Sequence, residues 1–364
     1  MFGIKKQVRN LLKRIQNYRT EKAFLVDSGN PFNLPKAMLR KSYKLGFTGQ
    51  EYVLYDLEHN NPDEYCRMYD SYRFRRSIGH YSVILDNKVL FYELVRNWAA
   101  VNKIYAYKED GLFYALEPEA ALEKIPSIIK THKMAFKKNN SQINCSHGDG
   151  FKVLEYKDGD YYINRVKSTD GDIIAMLQQE DFYLLEDYFF QSEFENSLFP
   201  HCVNTIRIVT AKDKNSKTYS VLHALQRIGA NPDKAIDNAG AGGLFSEIDI
   251  ETGMLYAATS YSPGLGFDER RNKIFYKTHP LTGNKIEGLF IPNWEELKLL
   301  ACSYHKRLAY SGIPLIAWDF ALSDKGATVI EANASCLFRL YQSRSGVKNK
   351  PLGLWYKEHG YLSR

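Results

Sequence analysis

Apolar side chains recur at helical spacing near the start of the chain, at Ile4, Val8, Leu11, Leu12, Ile15 and Tyr18, with Lys5, Lys6, Arg9, Lys13 and Arg14 between them. The pattern predicts a basic amphipathic helix within residues 1–20. Such a helix either packs on its own protein with a solvated basic face or rests on anionic lipid. Residues 21–83 follow as a mixed accessory region, with proline and glycine early and Tyr65, Tyr69, Tyr72, Phe74, Arg75 and Arg76 late. From Leu90 to Tyr107 the pattern reads as a helix followed by a strand. Lys108 to Gly111 reads as a hairpin turn into Leu112–Leu116, and Glu119–Lys130 reads as a helix.

The middle of the chain is rich in strand and turn signals: Met134–Lys138, Phe151–Tyr156, Asp160–Asn164, Phe182–Leu185 and Val203–Ala211, with a helix near Gly171–Glu180. Further on, Asn293 precedes Trp294-Glu295-Glu296, which predicts a helix N-cap. Leu297, Leu300, Ala301, Tyr304 and Leu308 mark that helix's buried face, and Gly312 its end. Two strands, Leu315–Leu322 and Ala327–Asn333, then flank Ser323–Gly326 as a hairpin. A loop of Asp324-Lys325-Gly326 sets Ser323 opposite Ala327 and Asp319 opposite Glu331, with Asn333 on the same face beside Ala317, Ala321 and Val329. Trp318, Phe320, Leu322, Ile330 and Ala332 supply the other face.

Composition narrows the classes. A chain of 364 residues with 44% hydrophobic and 25% charged residues is globular and long enough for two or three lobes. Its formal charge of +7 suits anionic substrates or a membrane surface equally. The basic residues are dispersed and no Cys/His finger spacing accompanies them, which argues against nucleic acid. Five scattered cysteines without CxxC argue against a disulfide scaffold or zinc cluster. No apolar run approaches the length of a membrane span. The expected location is the cytoplasm, with peripheral contact at the inner face of the membrane through residues 1–19 left open.

Two carboxylates and an amide oxygen on one face of a hairpin suit Mg²⁺, a hard ion that favours oxygen; a solvated polar face is the alternative. Lys137 or Lys138, followed by the turn-rich Ser146-His147-Gly148-Asp149-Gly150, could bind phosphate through a mobile cation and close backbone N–H groups. Alternation places Arg207 on one side of its strand with Thr205 and Val209, where it could steady a developing phosphoryl charge or simply face water. Asp237-Asn238-Ala239-Gly240-Ala241-Gly242-Gly243 has the backbone freedom to shape an anion pocket or cover a substrate. The His279-Pro280 and Thr282-Gly283 segment reads as another flexible, polar closure. Neither GxxxxGK[ST] nor GxSxG is present.

Taken in order, these segments resemble the ATP-grasp superfamily, and within it the sugar-transfer-associated branch. The resemblance spans roughly residues 80–340. It implies an α+β fold holding a nucleotide between two lobes, with an N-terminal accessory region: a small nucleotide-binding lobe at 84–187, a large lobe with the metal site at 188–340, and a tail at 341–364. Asp319, Glu331 and Asn333 match the magnesium motif, Lys137 the phosphate lysine, and Ser146, Gly148 and Gly150 the flap. Leu184 to Tyr188 resembles the adenine segment, with Glu186 and Tyr188 at the hinge, Glu193 toward the ribose, and Lys88 as a second nucleotide lysine. Arg207, Asp237 and Asn238 fall in the branch's catalytic motifs. Lys138, where proline is common, and Asp149 among the flap glycines depart from the pattern.

The resemblance implies ATP and Mg²⁺, with Mn²⁺ as a substitute, and a ligase that activates a carboxylate for attack by an amine. The branch name points to a small or lipid-linked sugar acid and an amine donor, in cell-surface polysaccharide assembly. Phosphotransfer to a hydroxyl is a second reading, and a non-catalytic nucleotide-binding protein a third.

Overall fold

The computed structural model describes residue 16 and residues 18–139, 150–232 and 237–362. The amphipathic helix expected over residues 4–18 lies almost wholly outside them, as do Ser146 and Gly148. The chain forms two compact units, one of Met1–Ser77, Asp268–Lys273 and Ser335–Arg364, the other of Ile78–Phe267 and Ile274–Ala334.

The first unit is helical among its described residues. Its helices include α1 (Lys36–Leu45), α2 (Gly49–Leu54), α3 (Met68–Ile78) and, near the end of the chain, α8 (Pro351–Glu358). Thr48 starts α2 through a reciprocal capping box with Glu51, which satisfies two backbone donors at once. Residues 341–364, expected as a tail, instead supply core. Leu352, Trp355 and Tyr356 are buried, and Phe74 of α3 packs on Trp355 and Tyr356 with ring centroids 5.7 and 5.2 Å apart. Spacing of i, i+3 and i+4 puts those three residues on one helical face.

The second unit holds two antiparallel sheets. Strands β1 (Ile104–Glu109), β2 (Leu112–Ala115), β3 (Met134–Lys138), β4 (Lys152–Lys157), β5 (Asp160–Ile163), β6 (Val166–Ser168) and β7 (Tyr183–Asp187) form a seven-stranded sheet in the order β2-β1-β7-β3-β4-β5-β6. Strands β8 (Thr205–Lys212), β9 (Tyr219–Ile228), β10 (Leu244–Glu247), β11 (Leu315–Ser323) and β12 (Gly326–Asn333) form a five-stranded sheet in the order β10-β9-β8-β11-β12. Asp110 and Gly111 both take positive φ in the tight turn between β1 and β2, as a type I′ hairpin requires.

Helix α5 (Asp170–Gln179) covers one face of the seven-stranded sheet, where Met134, Phe136, Leu154, Ile173, Leu177, Tyr183 and Leu185 form a closed core. Helix α7 (Trp294–Arg307) covers one face of the five-stranded sheet through Leu297, Ala301, Tyr304 and His305. Asn293 does not cap α7 with its side chain; it sits in the left-handed region at φ 53°, where Asn tolerates the strain better than most residues. The expected helix at Glu119–Lys130 is reduced to a 3₁₀ turn and Ile125–Ile129.

Candidate active site

Strands β11 and β12 place Asp319 directly opposite Glu331, and Ala317 opposite Asn333. The expected route to this register is corrected. The turn is one residue tighter, with Ser323 opposite Gly326, and the pairing slips by one residue at a bulge beyond Asp319, where Phe320 faces Val329. That bulge leaves Ile330 as the extra residue and restores the carboxylate pair. It also moves Val329, expected beside Asp319, onto the face of Phe320, where it is buried.

Behind this hairpin, β8 sets Arg207 opposite Asp319. Arg207 Nε donates to Asp319 Oδ1 at 2.6 Å, its Nη2 donates to Oδ2, and the same nitrogen lies 3.6 Å from Glu331 Oε1. Arg207 is therefore a bidentate partner of a buried carboxylate, not a solvated surface arginine. A second guanidinium, absent from the expected site, joins it: Arg227 on β9 donates to Asp319 Oδ2 at 3.2 Å and pairs with Asp237 Oδ1 at 2.9 Å. Strand β9 carried no expected function, yet Arg227 follows Gln226 in a strand whose alternation alone puts it on this face. Burial pushes the Asp319 carboxyl up to about 6, opposed by the two guanidiniums. Glu331 is held well below the usual carboxylate range, chiefly by the Lys88 ammonium 3.0 Å from its Oε2.

Lys88 opens helix α4 (Lys88–Val95), whose first amides are capped by Asn87. It also lines a cavity of about 20 Å³ with Phe91, Tyr92, Val101, Asn102, Ile104, Glu186, Val329 and Ile330. On its far side a second lysine–carboxylate pair joins the two sheets' chemistry. Lys137 of β3 pairs with Glu186 of β7, and Asn102 Nδ2 donates to Glu186 Oε1 at 3.2 Å. Asn102 follows Val101, which bridges to Val329 of β12. Strand alternation separates the two candidate phosphate lysines. Lys137 shares the open face with Glu186, whereas Lys138 is on the helix-covered side, where it pairs with Glu180.

Of the other expected residues, Asp237 joins this cluster through Arg227 and the rest fall outside it. Tyr188 packs against Lys133, whose ammonium is 4.4 Å from the ring centre. Glu193, at the start of α6 (Glu193–Leu198), lines a different groove with Pro292, Asn293, Leu300 and Asp324. Gly150 sits at φ 78° beside the Lys138 side chain. Asp237 accepts from Thr205 Oγ1 and pairs with Arg227, while Asn238 accepts from Gly240 N at 2.9 Å within its own loop. Gly243 is obligatory there, because a Cβ would collide with the Asp237 carbonyl. His279, expected on a mobile closure, is buried: its Nε2 donates to Gly229 O at 2.8 Å and its ring stacks on Phe199.

A family model described as sugar-transfer associated ATP-grasp matches residues 67–348, and the chain belongs to that family. Its α+β class and its two antiparallel sheets agree with that fold. Solved structures similar to the chain include the ATP-grasp ligase PsnB complexed with minimal precursor, Mg and ADP, at 14% identity and a TM-score of 0.40, covering 79% of this chain and 61% of that one. An ADP complex of the N5-carboxyaminoimidazole ribonucleotide synthetase purK matches at 11% identity and TM-score 0.38, covering 75% and 51%. D-alanine–D-alanine ligase from Bacillus anthracis complexed with ATP matches at 10% identity and TM-score 0.31, covering 76% and 60%. The chain thus spans less than two thirds of the length of each of these ligases. No curated protein matches it.

Proposed function

We propose that the chain is an ATP-dependent ligase that activates a carboxylate as an acyl phosphate for attack by an amine. The observation that carries this reading is the pairing of Asp319 with Glu331 on adjacent strands, tied to Arg207 on the third. Membership of the ATP-grasp family supports the nucleotide, and the branch description supports a sugar acid or glycoconjugate precursor in cell-surface polysaccharide synthesis. No helix among the described residues is long and apolar enough to cross a membrane. A lipid-linked acceptor would be met at the inner membrane face through the basic residues near the N-terminus.

The residues fit a hard divalent cation. Asp319, Glu331 and the Asn333 amide oxygen are hard oxygen ligands on one face of the hairpin. Among the described residues there is no group of three or more His, Cys, Asp or Glu that could hold a metal ion. When bound, Mg²⁺ or Mn²⁺ would neutralise phosphate charge and align the transferred group.

The chain's own residues do the rest. Lys137 and Lys88 hold phosphate oxygens. A substrate carboxylate oxygen takes the γ-phosphoryl group and ADP departs. Arg207 holds the transferred phosphoryl and then the oxyanion formed as the amine adds, inorganic phosphate leaves, and the nitrogen loses its extra proton. Arg227 fixes Asp237 and Asp319, keeping Arg207 aimed; the loop through Asn238 closes on the acceptor.

Mass spectrometry of the protein with ATP, Mg²⁺, sugar acids and an amine pool tests this. A condensed product with ADP and phosphate, lost in Glu331→Gln, is expected. An acceptor that gains only phosphate would replace ligation with phosphotransfer.

A further inference from the structure

The charged groups at the heart of the site pair with one another. Lys88 lies 3.0 Å from Glu331, Lys137 contacts Glu186, and Arg207 reaches both Asp319 and Glu331. Among the described residues, Lys88 alone is both bonded to one of the proposed metal ligands and placed on a wall of the cavity that leads to the other sheet. Its side chain is 20% exposed and that of Glu331 31%, so the pair is accessible enough to break and dry enough to matter. Lys88 also stands at the first residue of its helix, on a four-carbon stem whose ammonium can swing without moving the backbone.

We propose that Lys88 is an internal counter-ion that holds the place of the metal on Glu331 and is exchanged for it when nucleotide binds. The inference rests on the nucleotide and metal reading of this site. Without ligand, the ammonium satisfies the carboxylate, and a divalent cation must displace it to bind. Phosphate draws the same ammonium away, which uncovers Glu331 for the metal. Metal and nucleotide therefore each prepare the site for the other, and the coupling is reciprocal by linkage. The device also keeps the isolated site from filling with metal alone. Arg207 is not this counter-ion: its Nε and Nη2 bond Asp319, and it lies 3.6 Å from Glu331.

The test measures binding separately for Mn²⁺ alone, by electron paramagnetic resonance, and for ATP in EDTA, by calorimetry. The full chain is compared with Lys88→Met, Lys88→Arg and Lys137→Met. Lys88→Met is expected to tighten Mn²⁺ roughly tenfold and weaken ATP roughly tenfold, opposite signs from one substitution. Lys88→Arg is expected to restore weak Mn²⁺ binding by keeping the charge. Lys137→Met, which removes the same charge from the neighbouring sheet, is expected to weaken ATP while leaving Mn²⁺ unchanged. Equal tightening of Mn²⁺ in both methionine variants would reduce the effect to through-space charge and overturn the exchange. Unchanged or weaker Mn²⁺ binding in Lys88→Met would overturn it as well. Failure of the wild-type chain to bind ATP with Mn²⁺ together would instead overturn the reading of the site on which it depends.

Discussion

The two faces of the five-stranded sheet bury polar groups in opposite ways. Neighbouring residues make the contrast: Arg227 points to one face and Gln226 to the other, as do Arg207 and Ile206. On the site face, ionised groups pair with ionised groups, Arg207 and Arg227 with Asp319, Arg227 with Asp237, and Lys88 with Glu331. On the α7 face the polar groups are neutral. Thr210 Oγ1 meets His305 Nδ1 at 2.8 Å and accepts from Trp318 Nε1 at 2.8 Å, and Gln226 Nε2 donates to Glu195 Oε2 at 2.9 Å. Burial lowers the His305 imidazole to about 4, so it stays uncharged. Neutral hydrogen bonds can specify a core at low desolvation cost, whereas a row of buried charges costs stability and persists where charge is needed for chemistry.

Arg227→Met should produce the largest change in stability. It strands Asp237 and removes one of two guanidiniums from Asp319, an expected loss of about 4 kcal/mol by urea unfolding. A loss under about 1 kcal/mol would mean the site face is no more charged, in effect, than the other.

Glu195→Gln probes the neutral face. Burial, reinforced by the nearby Asp237 charge, pushes the Glu195 carboxyl up to about 8. Glu195 Oε1 and Gln226 Oε1 have no other partner, and a proton on the acid supplies the donor they lack. A folded value above the unfolded one means the stabilisation is complete below about pH 4.5 and is lost as pH rises through 8. The slope is about 1.4 kcal/mol per pH unit, or roughly 2 to 3 kcal/mol between pH 6 and 8. In Glu195→Gln that decline should flatten; an unchanged slope would place the charge elsewhere.

Thr210→Val removes the hydroxyl shared by His305 and Trp318, at an expected cost of about 1 to 2 kcal/mol with no change in nucleotide binding. A matching loss of ATP affinity would show the two faces to be coupled.

Much of this was legible in the chain. Strict alternation in β8 placed Arg207 away from Ile206 and Ile208, and the hairpin signal placed Asp319 near Glu331. What stayed hidden was non-local. The bulge at Ile330 depends on how β12 meets β11 and not on any residue type in the turn, so the carboxylate pair was expected from a turn one residue too long. Strand β9 mixes apolar and polar residues without a recognisable motif, and Arg227 within it gains meaning from Asp237 and from Asp319, 92 residues away. The residues alone left Lys137 and Lys138 both open and only the family resemblance singled out Lys137; the physical difference is that α5 covers the face of Lys138, which pairs with Glu180. His279 read as part of a mobile segment because proline and glycine flank it, yet its ring is fixed by the Gly229 carbonyl. The C-terminal residues read as a tail because their partners lie in α3, far back in sequence.

Trapping with hydroxylamine tests the central claim most directly, because it reports an activated carboxylate without requiring the natural amine. With ATP, Mg²⁺ and a panel of sugar acids, the wild-type chain should yield a hydroxamate that Glu331→Gln does not. A phosphorylated acceptor that resists hydroxylamine would contradict the account.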